Sequence, residues 1–142
     1  MSKFASLGLI GCLSAVIGAA VFTLVINLDL LISSTATVDD AKPVLLFFIW
    51  HAASALNLGW PIFMFVMPVM FHAASHRENK TVGRWLFPLF GMSVAVGLLI
   101  YGYRVDVSKF DLALIKTVTY AAVGGFFGGR AFWNLGNGVT KG

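Results

Sequence analysis

Charged residues are scarce in this sequence, and their scarcity narrows the class of protein. Only 11% of the 142 residues are Asp, Glu, Lys or Arg, whereas 58% are hydrophobic. A soluble domain carries about 25% charged residues, so this chain has too few charges to cover a surface that faces water. We therefore expect its outer surface to face lipid, and the length predicts a single transmembrane domain over residues 1–142.

Cysteine and catalytic motifs are nearly as scarce. The single cysteine, Cys12, excludes an intramolecular disulfide and a cysteine-rich metal site. The sequence contains no nucleophile elbow, HExxH motif or P-loop. The net charge of +4 comes from scattered residues without a basic stripe, which speaks against a nucleic-acid partner. We predict neither a catalytic centre nor a metal site.

Four long apolar segments fill most of the chain, at about 4–32, 44–71, 85–103 and 112–133. A soluble helix shows a polar face with a period near 3.6 residues. The first two segments lack such a polar face, since they carry almost no charge over more than about twenty positions. A helix of about twenty residues is long enough to cross a bilayer. The sequence thus predicts an all-α, polytopic integral membrane protein, with four transmembrane helices in a small bundle and the lipid bilayer as its surroundings.

The charges that flank these segments predict an orientation. An even number of spans places both termini on one side, together with the polar stretch 72–84. That side would hold six basic residues against four on the other. The positive-inside rule then puts both termini on the cytoplasmic or matrix side, in a bacterial inner membrane or an organellar inner membrane.

Small residues recur at four-residue spacing in the first and last segments. Such spacing lets the backbones of two membrane helices approach closely. The pattern does not tell whether the partner helix belongs to this chain or to another. The residues predicted to pack in this way are Gly11, Gly18, Gly124, Gly125, Gly128 and Gly129.

The second segment holds an unusual polar and helix-breaking sequence near its middle, with Asn57, Gly59 and Pro61. Pro61 removes one backbone hydrogen bond and clashes with the carbonyl of Asn57, which predicts a kink. Two interpretations are open. The kink could shape helix packing with the amide satisfied locally, or it could form a polar site that faces the bundle.

His51 is the one histidine predicted inside the apolar zone. An imidazole there could ligate haem iron, hydrogen-bond a quinone, or form a structural hydrogen bond between helices. His72 and His76 fall at the opposite end of the same segment. This chain alone therefore cannot supply both axial ligands of a bis-histidine haem b. The i, i+4 spacing of His72 and His76 could serve a metal, but solvated polar residues at the interface explain it as well.

These observations favour a non-catalytic accessory subunit of a larger membrane complex, of respiratory or secretory type, that packs against other membrane subunits or against itself. Two alternatives follow from the same residues. His51 could make the chain a haem- or quinone-contacting anchor of a redox complex. A small homo-oligomeric channel or transporter could instead use a pathway past the Asn57–Pro61 stretch.

Overall fold

Helices account for nearly all of the described chain, as the composition predicts. The computed structural model describes residues 3–33, 41–75, 80–102 and 111–140. The helices are α1 (Lys3–Ser33), α2 (Ala41–Pro61), a π-helical segment (Ile62–Val66), α3 (Met67–Ser75), α4 (Lys80–Gly102) and α5 (Leu112–Thr140). The all-α prediction is confirmed for these residues.

Four stretches of the described chain are long and apolar enough to cross a membrane. The second of them runs without a break through α2, the π-helical segment and α3. The four stretches are Lys3–Ile32, Val44–Ser75, Thr81–Gly102 and Leu112–Val139. Their number and order agree with the four segments predicted from hydropathy.

The helices extend beyond the predicted apolar boundaries. α4 begins at Lys80 instead of 85, and α5 continues to Thr140 instead of 133. In α5 the Asn137 amide donates a hydrogen bond to the Trp133 carbonyl at 2.8 Å, and Gly136 packs against the ring of Phe71. Local hydrogen bonds and packing thus keep this polar, glycine-containing end helical. Tyr103, the predicted end of the third segment, lies outside the described residues.

α5 occupies the middle of the bundle and packs along both α1 and α4. α1 in turn packs against α2 and the π-helical segment, whereas the contact between α2 and α4 is sparse. The main core lies at the end of the bundle that holds Ser75. Its rings are in mutual contact, with centroids 5.1 Å apart for Phe87 and Phe132 and 5.3 Å apart for Phe71 and Trp133. Phe87 and Phe132 are completely buried.

The opposite end of the bundle has an ion pair between α1 and α5. The Lys116 ammonium of α5 lies 3.3 Å from the Asp29 carboxylate of α1. Asp111 precedes α5 and accepts a hydrogen bond from the Leu114 backbone N–H at 2.7 Å, which is the usual way to satisfy a free donor at a helix start. The two ends therefore differ in chemistry, and a cavity separates them.

The helix changes its hydrogen-bonding register directly after Pro61. Pro61 itself keeps helical angles, with φ −66° and ψ −35°. The following residues form a π-helix, in which the Met67 N–H donates to the Ile62 carbonyl, five residues back. Pro68 follows at once, and its ring would clash with the carbonyl four residues before it in a regular α-helix. The widened turn relieves that clash.

Candidate ligand cavity

All four membrane-length stretches contribute to one internal cavity of about 210 Å³. Its walls are mostly apolar. Glycines from three helices line it, namely Gly11 and Gly18 from α1, Gly91 and Gly102 from α4, and Gly125, Gly128 and Gly129 from α5. No charged side chain among the described residues lines this space. Its polar groups come chiefly from α2.

The glycines bring three of the helices together at backbone distance. A methyl group on Gly124 would lie 2.6 Å from the carbonyl oxygen of Gly18. One on Gly125 would overlap the carbonyl of Gly91, and one on Gly129 would overlap that of Phe87. α5 therefore presents one glycine pair to α1 and the other to α4. α2 stands away from this tight group, and the space that remains is the cavity.

His51 lines the cavity from α2 and is half-buried. Its Nδ1 lies 3.5 Å from the hydroxyl oxygen of Thr23 on α1. The ring of Phe22 meets it edge-on with centroids 4.8 Å apart, and Phe47 stacks on it at 6.0 Å. The imidazole is thus fixed by contacts with both helices.

The contact with Thr23 favours one tautomer of His51. The Thr23 hydroxyl already donates to the Ala19 carbonyl at 2.9 Å, so its oxygen is available to accept from Nδ1, 3.5 Å away. In the neutral imidazole that donates from Nδ1 to Thr23, Nε2 carries the lone pair.

Ser54 and Trp50 line the cavity from the same helix as His51. Ser54 follows His51 by three residues, which places both on one face of α2. Ser14 lines the far wall, but its hydroxyl donates to the Ile10 carbonyl at 2.7 Å. α2 therefore offers three polar groups to a ligand in the cavity: the imidazole of His51, the hydroxyl of Ser54 and the indole of Trp50.

The Asn57–Pro61 stretch contributes little to the cavity. Asn57 and Pro61 are exposed on the outer side of α2. Gly59 is buried, and a methyl group on it would lie 2.6 Å from the ring of Phe63. Leu58 is the one residue of this stretch that lines the cavity.

His72 lies exposed in the last turn of α3, and His76 lies outside the described residues. His51 and His72 are 21 positions apart in one continuous membrane-length stretch, roughly 30 Å along a helix. In the described parts of the chain, no three His, Cys, Asp or Glu side chains come together in a group that could hold a metal ion.

Several residues that line the cavity or contact His51 were not singled out from the sequence. Thr23 and Ser54 are common residue types in membrane helices, and nothing in their spacing marks them. Gly91 precedes Ala95 by four residues, a small-residue pair like those in the first and last segments. That spacing is the one sequence signal that could have identified the α4 wall.

Comparison with models of protein families, with curated proteins and with solved structures finds no match to this chain.

Proposed function

We propose that this chain is an integral membrane protein whose four-helix bundle binds a small, lipid-soluble ring of the quinone–quinol class. The observation that carries the proposal is the cavity of about 210 Å³ with His51 and Ser54 on one wall. A histidine within an apolar membrane helix is a functional candidate by default. Here it also lines a space that a ligand can occupy.

The size of the cavity favours a single ring over a haem. An engineered protein cavity of about 150 Å³ lined by apolar side chains holds one benzene molecule. The present cavity is moderately larger, which suits one six-membered ring with small substituents. A porphyrin joins four pyrrole rings and needs several times that space.

The polar groups suit the oxygens of a quinol. The Nε2 lone pair of His51 can accept a hydrogen bond from a ring hydroxyl, and the Ser54 hydroxyl can donate to or accept from a ring oxygen. The apolar and glycine-rich walls suit the faces of a flat ring, as in most small-molecule sites. No covalent step is required of the protein for this binding.

A pair of histidine variants tests the proposal. His51→Phe removes the acceptor inside the cavity, whereas His72→Phe makes the same change at an exposed position on α3. With the purified protein in lipid nanodiscs, a tail-less benzoquinol should bind about tenfold more weakly to His51→Phe, as expected for one lost hydrogen bond in an apolar site. His72→Phe should bind like the wild-type protein.

Thermal unfolding followed by circular dichroism checks that both variants are folded. Equal binding by the two folded variants would remove His51 from the site. Failure of the wild-type protein to bind either benzoquinone or benzoquinol would refute the proposed function.

We propose in addition that the outer face of α2 contacts another membrane helix, which is the feature expected of a complex subunit. Asn57 is exposed near the middle of the Val44–Ser75 stretch, and its amide has no hydrogen-bond partner among the described residues. An unsatisfied amide in hydrocarbon costs several kcal/mol. An amide both donates and accepts, so two copies of this chain could satisfy each other across a two-fold axis.

Size measurement in mild detergent tests this second proposal. Asn57→Leu should shift the protein from a dimer to a monomer. Ser93→Ala is the matched control, because Ser93 is also exposed but its hydroxyl already donates to the Leu89 carbonyl at 3.1 Å. A wild-type monomer, or a dimer that survives Asn57→Leu, would contradict self-association through this face.

A further inference from the structure

We infer that the ligand carries a hydrocarbon tail and that the groove between α2 and α4 holds it. This inference rests on the proposed binding of a ring in the cavity. It adds two points to that proposal. The ligand is a ring with a hydrocarbon tail that enters the cavity sideways from the lipid, and the tail lies along the groove.

The first observation is the position of the cavity mouth. Most lining residues are buried or half-buried, but three are exposed: Trp50 and Leu58 on α2 and Gly102 at the end of α4. The exposed fractions of Trp50 and Leu58 are 63% and 39%. The cavity therefore opens sideways between α2 and α4, the two neighbouring helices whose contact is sparse.

The second observation is a surface groove that continues from this mouth. A separate, shallow depression is lined by Gly97, Ile100 and Tyr101 of α4, and it shares Leu58 and Gly102 with the cavity. Outside the local helix backbone, no atom of the described residues lies within 4 Å of the position where a side chain of residue 97 would begin. The missing side chain leaves the floor of the groove open on the outer surface of the bundle.

Leu58 stands where the cavity and the groove meet. One of its methyl carbons lies 2.7 Å from the position that a methyl group on Gly102 would take. The leucine side chain thus lies over the glycine, which has no side chain to hold it in place.

The chemistry of the groove identifies what can occupy it. The Tyr101 hydroxyl at the end of α4 is the one side-chain hydrogen-bonding group among the described groove residues, since Leu58, Gly97, Ile100 and Gly102 offer none. A polar substituent beside these four residues would lose its hydration without gaining a partner. An aliphatic tail would exchange lipid contacts for contacts with the protein and would remain continuous with the surrounding hydrocarbon.

A matched pair of glycine variants tests the groove. Gly97→Leu places a side chain in the groove, because no atom of the described residues outside the local helix backbone lies within 4 Å of the Cβ position at Gly97. Gly138→Leu makes the same change in α5 at a position that is equally open and far along the chain from the groove. Both variants are compared with the wild-type protein in nanodiscs, using a tail-less benzoquinol and the same ring with a decyl chain. Ligand concentrations are expressed per mole of lipid, so that the partitioning of the tailed ligand into the membrane does not contribute to the difference in affinity.

The wild-type protein and Gly138→Leu should bind the decyl ring about threefold or more tightly than the tail-less ring, from the added packing contacts. Gly97→Leu should lose this preference and keep its affinity for the tail-less ring. Equal affinities for the two rings in the wild-type protein, or a preference that Gly97→Leu leaves unchanged, would overturn the groove and leave the cavity proposal standing. Absence of binding by both rings would overturn both proposals.

Discussion

Fifteen glycines occur in this chain, and those in the helices have very different surroundings. Gly125 faces the backbone of Gly91 so closely that a methyl group would overlap its carbonyl. Gly138 has open space beyond its Cα. Glycine thus allows two helix backbones to come close together at position 125, whereas at position 138 no neighbouring group requires the absence of a side chain. The surroundings decide what a substitution does.

At Gly125, we expect Gly125→Ala to lower the free energy of unfolding by about 1–3 kcal/mol, the usual range for overpacking a tight contact. The contact is with the backbone of α4, which cannot move aside as a side chain can. Gly138→Ala should have no destabilising effect, since alanine favours the helix over glycine. Unfolding of both variants in mixed detergent micelles measures the difference. Equal stabilities would contradict a close α4–α5 contact at Gly125.

The sequence predicts small residues at helix contacts, but it does not predict which helix each of them faces. Small-residue spacing singled out Gly124 and Gly125 together, but it did not assign Gly124 to α1 and Gly125 to α4. Adjacent residues on a helix point about 100° apart, so they face different neighbours. Which neighbour lies on which side depends on the arrangement of all four helices, and that arrangement is not encoded in the spacing of one of them.

At the scale of the helices, the stretch from Val44 to Ser75 shows how prolines and packing combine. The sequence predicts a disruption at Pro61, because the missing N–H and the ring are local properties. The structure has a π-helical segment, Ile62–Val66, between Pro61 and Pro68. That choice depends on tertiary contacts, since Phe63 and Phe71, on either side of Pro68, both belong to the buried core. A widened turn inserts the extra residue that allows both rings to face inward.

The π-helical segment also makes Gly11 of α1 a sensitive position. A methyl group on Gly11 would lie 2.6 Å from the backbone carbonyl oxygen of Phe63, so Gly11→Ala should lower stability by about 1–3 kcal/mol. Gly8→Ala is the control, one turn earlier on the same helix. Its methyl group would lie 3.0 Å from the sulfur of Met64, a flexible side chain that can move away. Comparable losses in the two variants would show that the Phe63 carbonyl does not fix the α1 contact.

At the scale of the whole molecule, consecutive membrane-length stretches run antiparallel, and the two ends of the bundle differ in chemistry. Gly8 contacts Met64 and Thr23 contacts His51, so α1 and the Val44–Ser75 stretch run in opposite directions. The exposed surface between the ends carries many large apolar side chains, such as Leu45 and Trp85, which suits contact with lipid. His51 and the cavity lie between the two ends. Hydropathy predicts the four spans, but it cannot predict this cavity, because an empty space arises only from the packing of all four helices.

The antiparallel arrangement makes the predicted membrane orientation testable at two described positions. Ile32 is exposed at the end of α1, and Ser75 is exposed at the end of α3. In a background with Cys12→Ala, single cysteines at these positions should react from opposite sides with a maleimide that cannot cross membranes. The positive-inside rule, applied to the excess of basic residues near Ser75, predicts that this end faces the cytoplasm or matrix. Ile32→Cys should therefore be labelled in intact cells, and Ser75→Cys only after permeabilisation. Labelling of both from one side would contradict the four-span bundle, whereas the reverse pattern would retain the bundle and invert its orientation.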